Sequence, residues 1–279
     1  MCCILAHYVP LRFMSSESVS AWIYIFSGKR RKTMYQFFVA PGQITDKTVI
    51  IEGGDVNHIK NVLRMKPGEE IAVSNGQDGK EYRCGIVSME EDRVICELCF
   101  IKEDGLELSS RVHLFQGLPK ADKMELIIQK AVELGVYEII PVETKRAVVK
   151  LDAKKAKQKT ERWQAIAEAA AKQSKRRIVP QVQEPITFGQ ALKQAEGMEV
   201  KLIPYELAEG MARTKEIISN LPKNADIAIF IGPEGGFEET EVAKAKDSGV
   251  EPITLGKRIL RTETAGFTVM AWIMYQLEE

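Results

Sequence analysis

Asp226-Ile227-Ala228-Ile229-Phe230-Ile231-Gly232-Pro233-Glu234-Gly235-Gly236 decides the fold class of this chain. Its first six residues form an apolar run that reads as a buried parallel strand, and the glycine-rich segment that follows ends it abruptly. A second pair of the same form lies downstream. There the run Glu251 to Leu255 leads into Leu255-Gly256-Lys257-Arg258-Ile259-Leu260-Arg261-Thr262-Glu263-Thr264-Ala265. Open α/β sheets bind ligands in loops at the carboxyl ends of neighbouring parallel strands, because helix N-termini and free backbone donors converge there. The pairing of the two loops predicts a small-molecule site. Neither segment is a GxGxxG dinucleotide loop or a GxxxxGK[ST] phosphate loop, so NAD and ATP lose their usual sequence support.

Working outward, the pattern from Arg111 onward is a βα repeat. It predicts a strand over Val112 to Gln116, a helix over Asp122 to Leu134 closed by Gly135, a strand over Tyr137 to Pro141 and a helix over Asp152 to Ser174. Strands follow over Ile178 to Val182, Val200 to Ile203 and Ile227 to Ile231, with helices between. This is parallel α/β architecture. The apolar tract Ala265 to Leu277 is too short for a membrane span, which needs about 20 apolar residues, and reads as a buried terminal helix.

Upstream, short strands at Thr48 to Ile51, Glu70 to Asn75, Glu81 to Ser88 and Arg93 to Ile101 alternate with turns such as Asn75-Gly76 and Asp78-Gly79. Regularly spaced short strands predict a small β-barrel. One helical interruption, Asp55 to Arg64, is expected to turn Ile59, Val62 and Leu63 inward and Lys60 and Arg64 outward. Residues 1–33 do not fit this pattern: Cys2, Cys3, Trp22 and Phe26 follow no clear period, and the stretch ends in Lys29-Arg30-Arg31-Lys32. We expect this extension to lie outside the native fold, with the barrel spanning 34–106 and the α/β domain 107–279.

The 279 residues carry no net charge, which by itself argues against a chain built for strong nucleic-acid binding, yet the charge is unevenly placed. Between Lys145 and Arg177 stand 12 basic and 3 acidic residues, so this stretch holds +9 and the remainder −9. Phosphate-backbone attraction would use such a stretch. The lysines at 154, 155, 157 and 159 read more simply as a solvated helix face. Five cysteines include Cys96 and Cys99, but positions three apart on a strand point to opposite faces and no second pair supplies further ligands. No metal site is expected.

The Gly232–Gly236 segment, the Leu255–Ala265 segment and the upstream Leu118-Pro119-Lys120-Ala121-Asp122-Lys123-Met124-Glu125 together resemble the motifs of the RsmE family, the uridine-N3 methyltransferases of 16S ribosomal RNA. The resemblance runs from about Met34 to the end. It implies a SPOUT-type trefoil-knotted parallel α/β domain preceded by a PUA-like RNA-binding barrel, with S-adenosyl-L-methionine as cofactor. A knot has little support from sequence reasoning alone. Pro204, Tyr205 and Glu206, then Ile231, Gly232, Pro233, Glu234, Gly235 and Gly236, then Leu255, Gly256, Ile259, Leu260, Thr264 and Ala265 are the cofactor-binding residues so implied.

Uridine N3 carries its proton at neutral pH and lies on the pairing edge, so the target base must be unpaired or flipped and must lose that proton. Arg261 and Glu263 are the ionisable pair nearest the donor loop. Arg261 is expected to stabilise charge on the uracil carbonyls, and Glu263 to orient Arg261 or accept the proton. For RNA the candidates are Arg64, Lys120, Lys123, Gln173, Ser174 and, ranked first, Arg176. Arg176 ends a segment resembling the family's EAAxQSGR, in which Lys175 stands where glycine is usual; Gln36 likewise stands where arginine is frequent. The expected partners are 16S ribosomal RNA or the assembled small subunit and a second copy of the chain, in the cytoplasm with no membrane contact. Two other readings remain open: a related SPOUT enzyme acting on ribose 2′-hydroxyls or transfer RNA, and a non-catalytic RNA-binding assembly protein.

Overall fold

The computed structural model describes residues 34–103, 105–206 and 210–278. The expectation for the N-terminal extension lies outside the described residues.

Val49, Ile51, Cys84, Ile86, Val94 and Cys96 alternate with more exposed neighbours, and with Ile71 and Val73 of a strand buried on both faces they form one apolar cluster. Around it β1 (Gln36–Phe38), β2 (Thr48–Glu52), β3 (Glu70–Ser74), β4 (Glu81–Met89) and β5 (Arg93–Lys102) make a half-barrel in the order β1-β3-β4-β5-β2. Its pairs are antiparallel except β1 with β3. On β5 Cys96 is buried and Cys99 exposed, the opposite faces that strand periodicity demands. The interrupting helix α1 (Gly54–Asn57) opens into a π-turn over His58–Val62, marked by the bond from Leu63 N to His58 O at 2.9 Å. That widening corrects one expectation. Ile59 is buried, but Val62 is carried round to the surface and is 65% exposed.

The second sheet is parallel throughout, in the order β12-β10-β11-β6-β7-β8. Its strands are β6 (Arg111–Gly117), β7 (Glu138–Glu143), β8 (Gln181–Val182), β9 (Ile186–Thr187, beside β7), β10 (Val200–Pro204), β11 (Asp226–Ile231) and β12 (Glu251–Ile253). The intervening helices are α2 (Lys123–Glu133), α3 (Ala153–Ser174), α4 (Phe188–Gln194), α5 (Met211–Ser219), α6 (Glu239–Asp247) and α7 (Thr262–Leu277). β11 is buried on both faces, as its apolar run requires. Ile227, Ile229 and Ile231 pack with residues of α2, α3 and α7, while Ala228 and Phe230 pack on the other side with residues of α4 and α6. At the sheet's centre the Phe115 and Phe230 rings stack 4.6 Å apart.

β10 lies between β11 and β12, so the chain leaves β11, passes over β10 to make the edge strand, and then returns to begin α7 beside β6 and β11. Thr262 marks the return: its Oγ1 donates to Gly232 O at 2.6 Å and accepts from Gln116 Nε2 at 2.9 Å. Strand order therefore reverses at β10 and β11, the arrangement that opens a crevice at the carboxyl edge.

β8 is shorter than the sequence predicts because its expected first residues pair elsewhere. Ile178 bridges to Gly76 of the half-barrel, Val179 N donates to Gly76 O at 2.9 Å, and Pro180 has no N–H to give. Beside this bridge Gln36 Nε2 donates to Arg176 O at 2.9 Å, and Arg177 Nη2 to Glu81 Oε2 at 3.1 Å. Lys175, in the position where the resemblance has glycine, caps α3 with φ of +61°. The left-handed turn is thus kept, at a cost of about 1 kcal/mol for a residue with a side chain.

Candidate functional site: a crevice at the carboxyl edge of the parallel sheet

The loops after β10, β11 and β12 and the first turn of α7 enclose a crevice of about 730 Å³. Of the residues proposed from sequence for the cofactor, Pro204, Tyr205, Glu206, Ile231–Gly236, Leu255, Gly256, Ile259, Leu260 and Ala265 line it. Thr264 does not; it is exposed on the outer side of α7. Three segments far apart in sequence thus meet because three parallel strands end side by side.

Backbone fit explains the glycines. A Cβ on Gly117, at the end of β6, would sit 2.7 Å from Pro233 Cδ, so the two loops approach this closely only without one. Gly236 has φ of +65° and Gly256 of +100°, both line the crevice, and nothing lies within 4 Å of a Cβ added to either. Gly235 is different. Its missing side chain makes room for Arg146, whose Cβ would lie 3.2 Å away and whose Nη1 donates to Gly235 O at 3.1 Å.

The Pro119–Lys123 loop is stitched to the glycine loop. Glu234 accepts from Lys120 N at 3.1 Å and pairs with Lys123 Nζ at 2.9 Å. Burial alone would raise the Glu234 pKa, but the bonds from Lys123 and the Lys120 amide outweigh it and hold the carboxyl below its ordinary value. Lys123 also reaches Glu263 Oε2 at 3.6 Å, a buried oxygen without a hydrogen-bond partner. This corrects the expected pairing: Glu263 faces Lys123 rather than Arg261, and it stands behind the crevice wall. Arg261, the N-cap of α7, lines the crevice itself.

The RNA candidates separate. Lys123 lines the crevice and Lys120 is exposed on the same loop, whereas Arg64 is exposed on the half-barrel with φ of +52°. Gln173 is exposed near the end of α3, and Ser174 Oγ donates back to Ala170 O at 2.8 Å. Arg176 is a correction. It is 4% exposed, its Nη1 donates to Val136 O at 2.6 Å, and its Nε donates to Glu107 at 3.0 Å. A guanidinium so enclosed cannot meet a phosphate; it ties the half-barrel junction to the end of α2.

Sequence reasoning missed Arg146, Phe237, Thr254, Lys257, Arg258 and Thr262 as crevice residues. Lys257, Arg258 and Thr262 lay within the quoted motif, so their omission was one of assignment. Arg146 had no local mark, since its partner Gly235 is 89 residues away. Among the described residues of the lining, Lys123, Arg146, Lys257, Arg258 and Arg261 stand against Glu206 and Glu234, a cationic wall suited to anionic ligands.

Residues 106–274 match the family described as RNA methyltransferase domain, and residues 51–99 match the RNA methyltransferase PUA domain. Ribosomal RNA small subunit methyltransferase E of Bacillus subtilis (strain 168) is 42% identical over 234 residues, which covers 83% of this chain and 91% of that protein. The crystal structure of a protein of that name from Neisseria gonorrhoeae, bound to S-adenosyl methionine, superposes with a TM-score of 0.72 at 34% identity, covering 85% of this chain and 96% of that one. A Legionella pneumophila methyltransferase crystallised with SAM gives 0.74 at 31% identity, covering 87% and 97%.

Proposed function

This chain belongs to the ribosomal RNA small subunit methyltransferase E family, and on that footing we propose that its crevice joins a methyl donor to N3 of a uridine in small-subunit ribosomal RNA. The chain is an S-adenosylmethionine-dependent methyltransferase of that RNA. The convergence of the β10, β11 and β12 loops with the start of α7 carries the site assignment.

The residues present fit the donor. Open space before Gly236 and Gly256 admits a ligand against bare backbone, Ile231 and Leu260 supply apolar surface, and the cationic wall suits a carboxylate. When bound, the sulfonium supplies an activated methyl group for in-line displacement. The protein's part is alignment and charge. Arg261 and Lys123 are the cations at hand for the negative charge that uracil acquires as N3 gives its proton to solvent water, and by stabilising that charge they ease the proton's departure. Glu263 and Glu234 hold Lys123 in that position. Glu263 is therefore assigned as a positioning residue, and Glu263→Gln is expected to lower kcat and move its pH profile with cofactor affinity unchanged. A wild-type profile would remove it from the mechanism.

RNA is expected to enter across Lys120 and Lys123, with Arg64 of the half-barrel and Gln173 and Ser174 as further contacts. The division near residue 106 would then separate an RNA-holding half-barrel from the catalytic domain. α7 presents Phe267, Ala271, Trp272 and Met274 half-buried and Tyr275 84% exposed, opposite its buried Val269, Met270, Ile273 and Leu277. That second apolar face supports a homodimer, which light scattering tests. Among the described residues no helix is long and apolar enough to cross a membrane; action on ribosomal RNA is what supports a cytoplasmic location. Comparative mass spectrometry of ribosomal RNA from cells with and without the gene tests the reaction. Loss of one N3-methyluridine is expected; an unchanged RNA, or loss of a ribose methyl group, overturns the reading.

A further inference from the structure

The loop after β7 separates two spaces. Arg146 faces the donor crevice, whereas its neighbours Lys145 and Ala147 line a second cleft of about 600 Å³. Successive Cα atoms lie about 3.8 Å apart, so one thickness of backbone divides them. Ala147, Val149, Leu151 and Phe188 give the second cleft an apolar floor, and Phe188 is held there at the start of α4.

The rim is polar. Lys150 and Lys244 are exposed at it, and Lys145 is engaged by Glu238 at 2.7 Å and Thr240 at 3.0 Å. Glu241 also lines the cleft, but its oxygens accept from the backbone N–H groups of Lys145 and Glu238, each at 2.9 Å. Thr144 is nine-tenths buried, and its Oγ1 has no hydrogen-bond partner. Native structures rarely leave such a hydroxyl unmatched unless something else completes it. Lys145, Arg146 and Lys150 also open the stretch with a local charge of +9.

We propose that this cleft holds a nucleotide flanking the methylated one on the same RNA strand. The base lies on the apolar floor, the phosphate meets Lys150 and Lys244, and Thr144 Oγ1 completes its hydrogen bonding on the ribose or base. Glu143, exposed at the rim, accepts from a 2′-hydroxyl or an exocyclic amine. A bare phosphate would use the lysines but neither the apolar floor nor this carboxylate. The inference rests on the reading of the chain as an RNA methyltransferase, and the uridine is held in one space while its neighbour is fixed in the next.

Gly189 lines the cleft and nothing lies within 4 Å of a Cβ added to it, so Gly189→Trp places a bulky ring at the cleft without a clash at the backbone. With the full chain and unmethylated small-subunit ribosomal RNA, this variant is expected to raise the RNA KM at least tenfold. Its thermal midpoint should be unchanged and its S-adenosylmethionine affinity within twofold by calorimetry. Charge reversal, Lys150→Glu with Lys244→Glu, is expected to weaken RNA binding at least tenfold and to reduce the slope of log K against log salt by about 2. Wild-type RNA binding by both variants overturns the proposal. So does weakened binding in the charge-reversed variant alone, which would make the lysines a surface field. A wild-type chain that binds RNA without methylating it counts against the enzymatic reading instead, and the same binding comparison still decides the cleft.

Discussion

Replacing Glu107 by alanine isolates the buried ion pair at the junction between the half-barrel and the α/β domain. One oxygen of Glu107 accepts from Nε of Arg176 at 3.0 Å and also from Nη2, and the other accepts from the amides of Arg177 at 3.0 Å and Ile178 at 3.2 Å. Without it a guanidinium that is 4% exposed keeps, among the described residues, the carbonyls of Val132 and Val136. Breaking a buried pair from one side costs about 3–5 kcal/mol, because the remaining charge is uncompensated. The Glu107 side chain is 17% exposed, which admits some water and favours the lower end. At a urea slope of roughly 3 kcal/mol per molar, the unfolding midpoint should fall by about 1 M, read by circular dichroism. Adding Arg176→Met should recover part of that loss, since no buried charge then remains. A midpoint shift below about 0.3 M would refute the argument. So would an Arg176→Met variant of unchanged stability with weakened RNA binding, which would return Arg176 to the RNA surface.

Thr262→Val keeps the shape of the side chain but strips Gly232 O and Gln116 Nε2 of a shared partner; a loss of about 2–3 kcal/mol in urea unfolding and weaker cofactor binding in calorimetry are expected. Gly256→Val should cost about 1–3 kcal/mol through its φ of +100° and reduce cofactor affinity at least tenfold by filling the crevice; wild-type affinity would remove this loop from the site. At the opposite edge of the sheet His113 lies 3.1 Å from both Glu138 and Asp226. Burial would raise both carboxyl pKa values, but the bonds from His113, with Gln183 to Glu138 and Arg111 to Asp226, outweigh it and lower them. Their contribution is present above the ordinary carboxylate range near pH 4 and is lost as pH falls through the depressed folded values. Asp226→Asn should therefore flatten the acid limb of the stability profile, and an unchanged limb would show that these bonds contribute nothing.

Strand and helix positions were legible wherever a local pattern is the cause. The β11 run, the N-cap of α3 at Asp152 and the paired glycine loops all follow from side-chain period, capping and φ requirements. Val62 was misread because a π-turn changes the angular period within one helix, and nothing in five residues announces it. β8 was overread because Ile178 and Val179 suit any strand, and the half-barrel claimed them first.

The sequence by itself determined the fold class, the edge of the sheet at which the crevice opens and, through three separated motifs, the family. Tertiary structure decided which charges are free to act. Lys123 and Arg176 are both cations with carboxylate partners in equally suggestive segments, yet Lys123 still lines the crevice while Arg176 is enclosed beside Glu107. A cation's availability depends on the carboxylates and carbonyls that folding brings to it, and here those partners come from 69 and 40 residues away, beyond the reach of any local pattern.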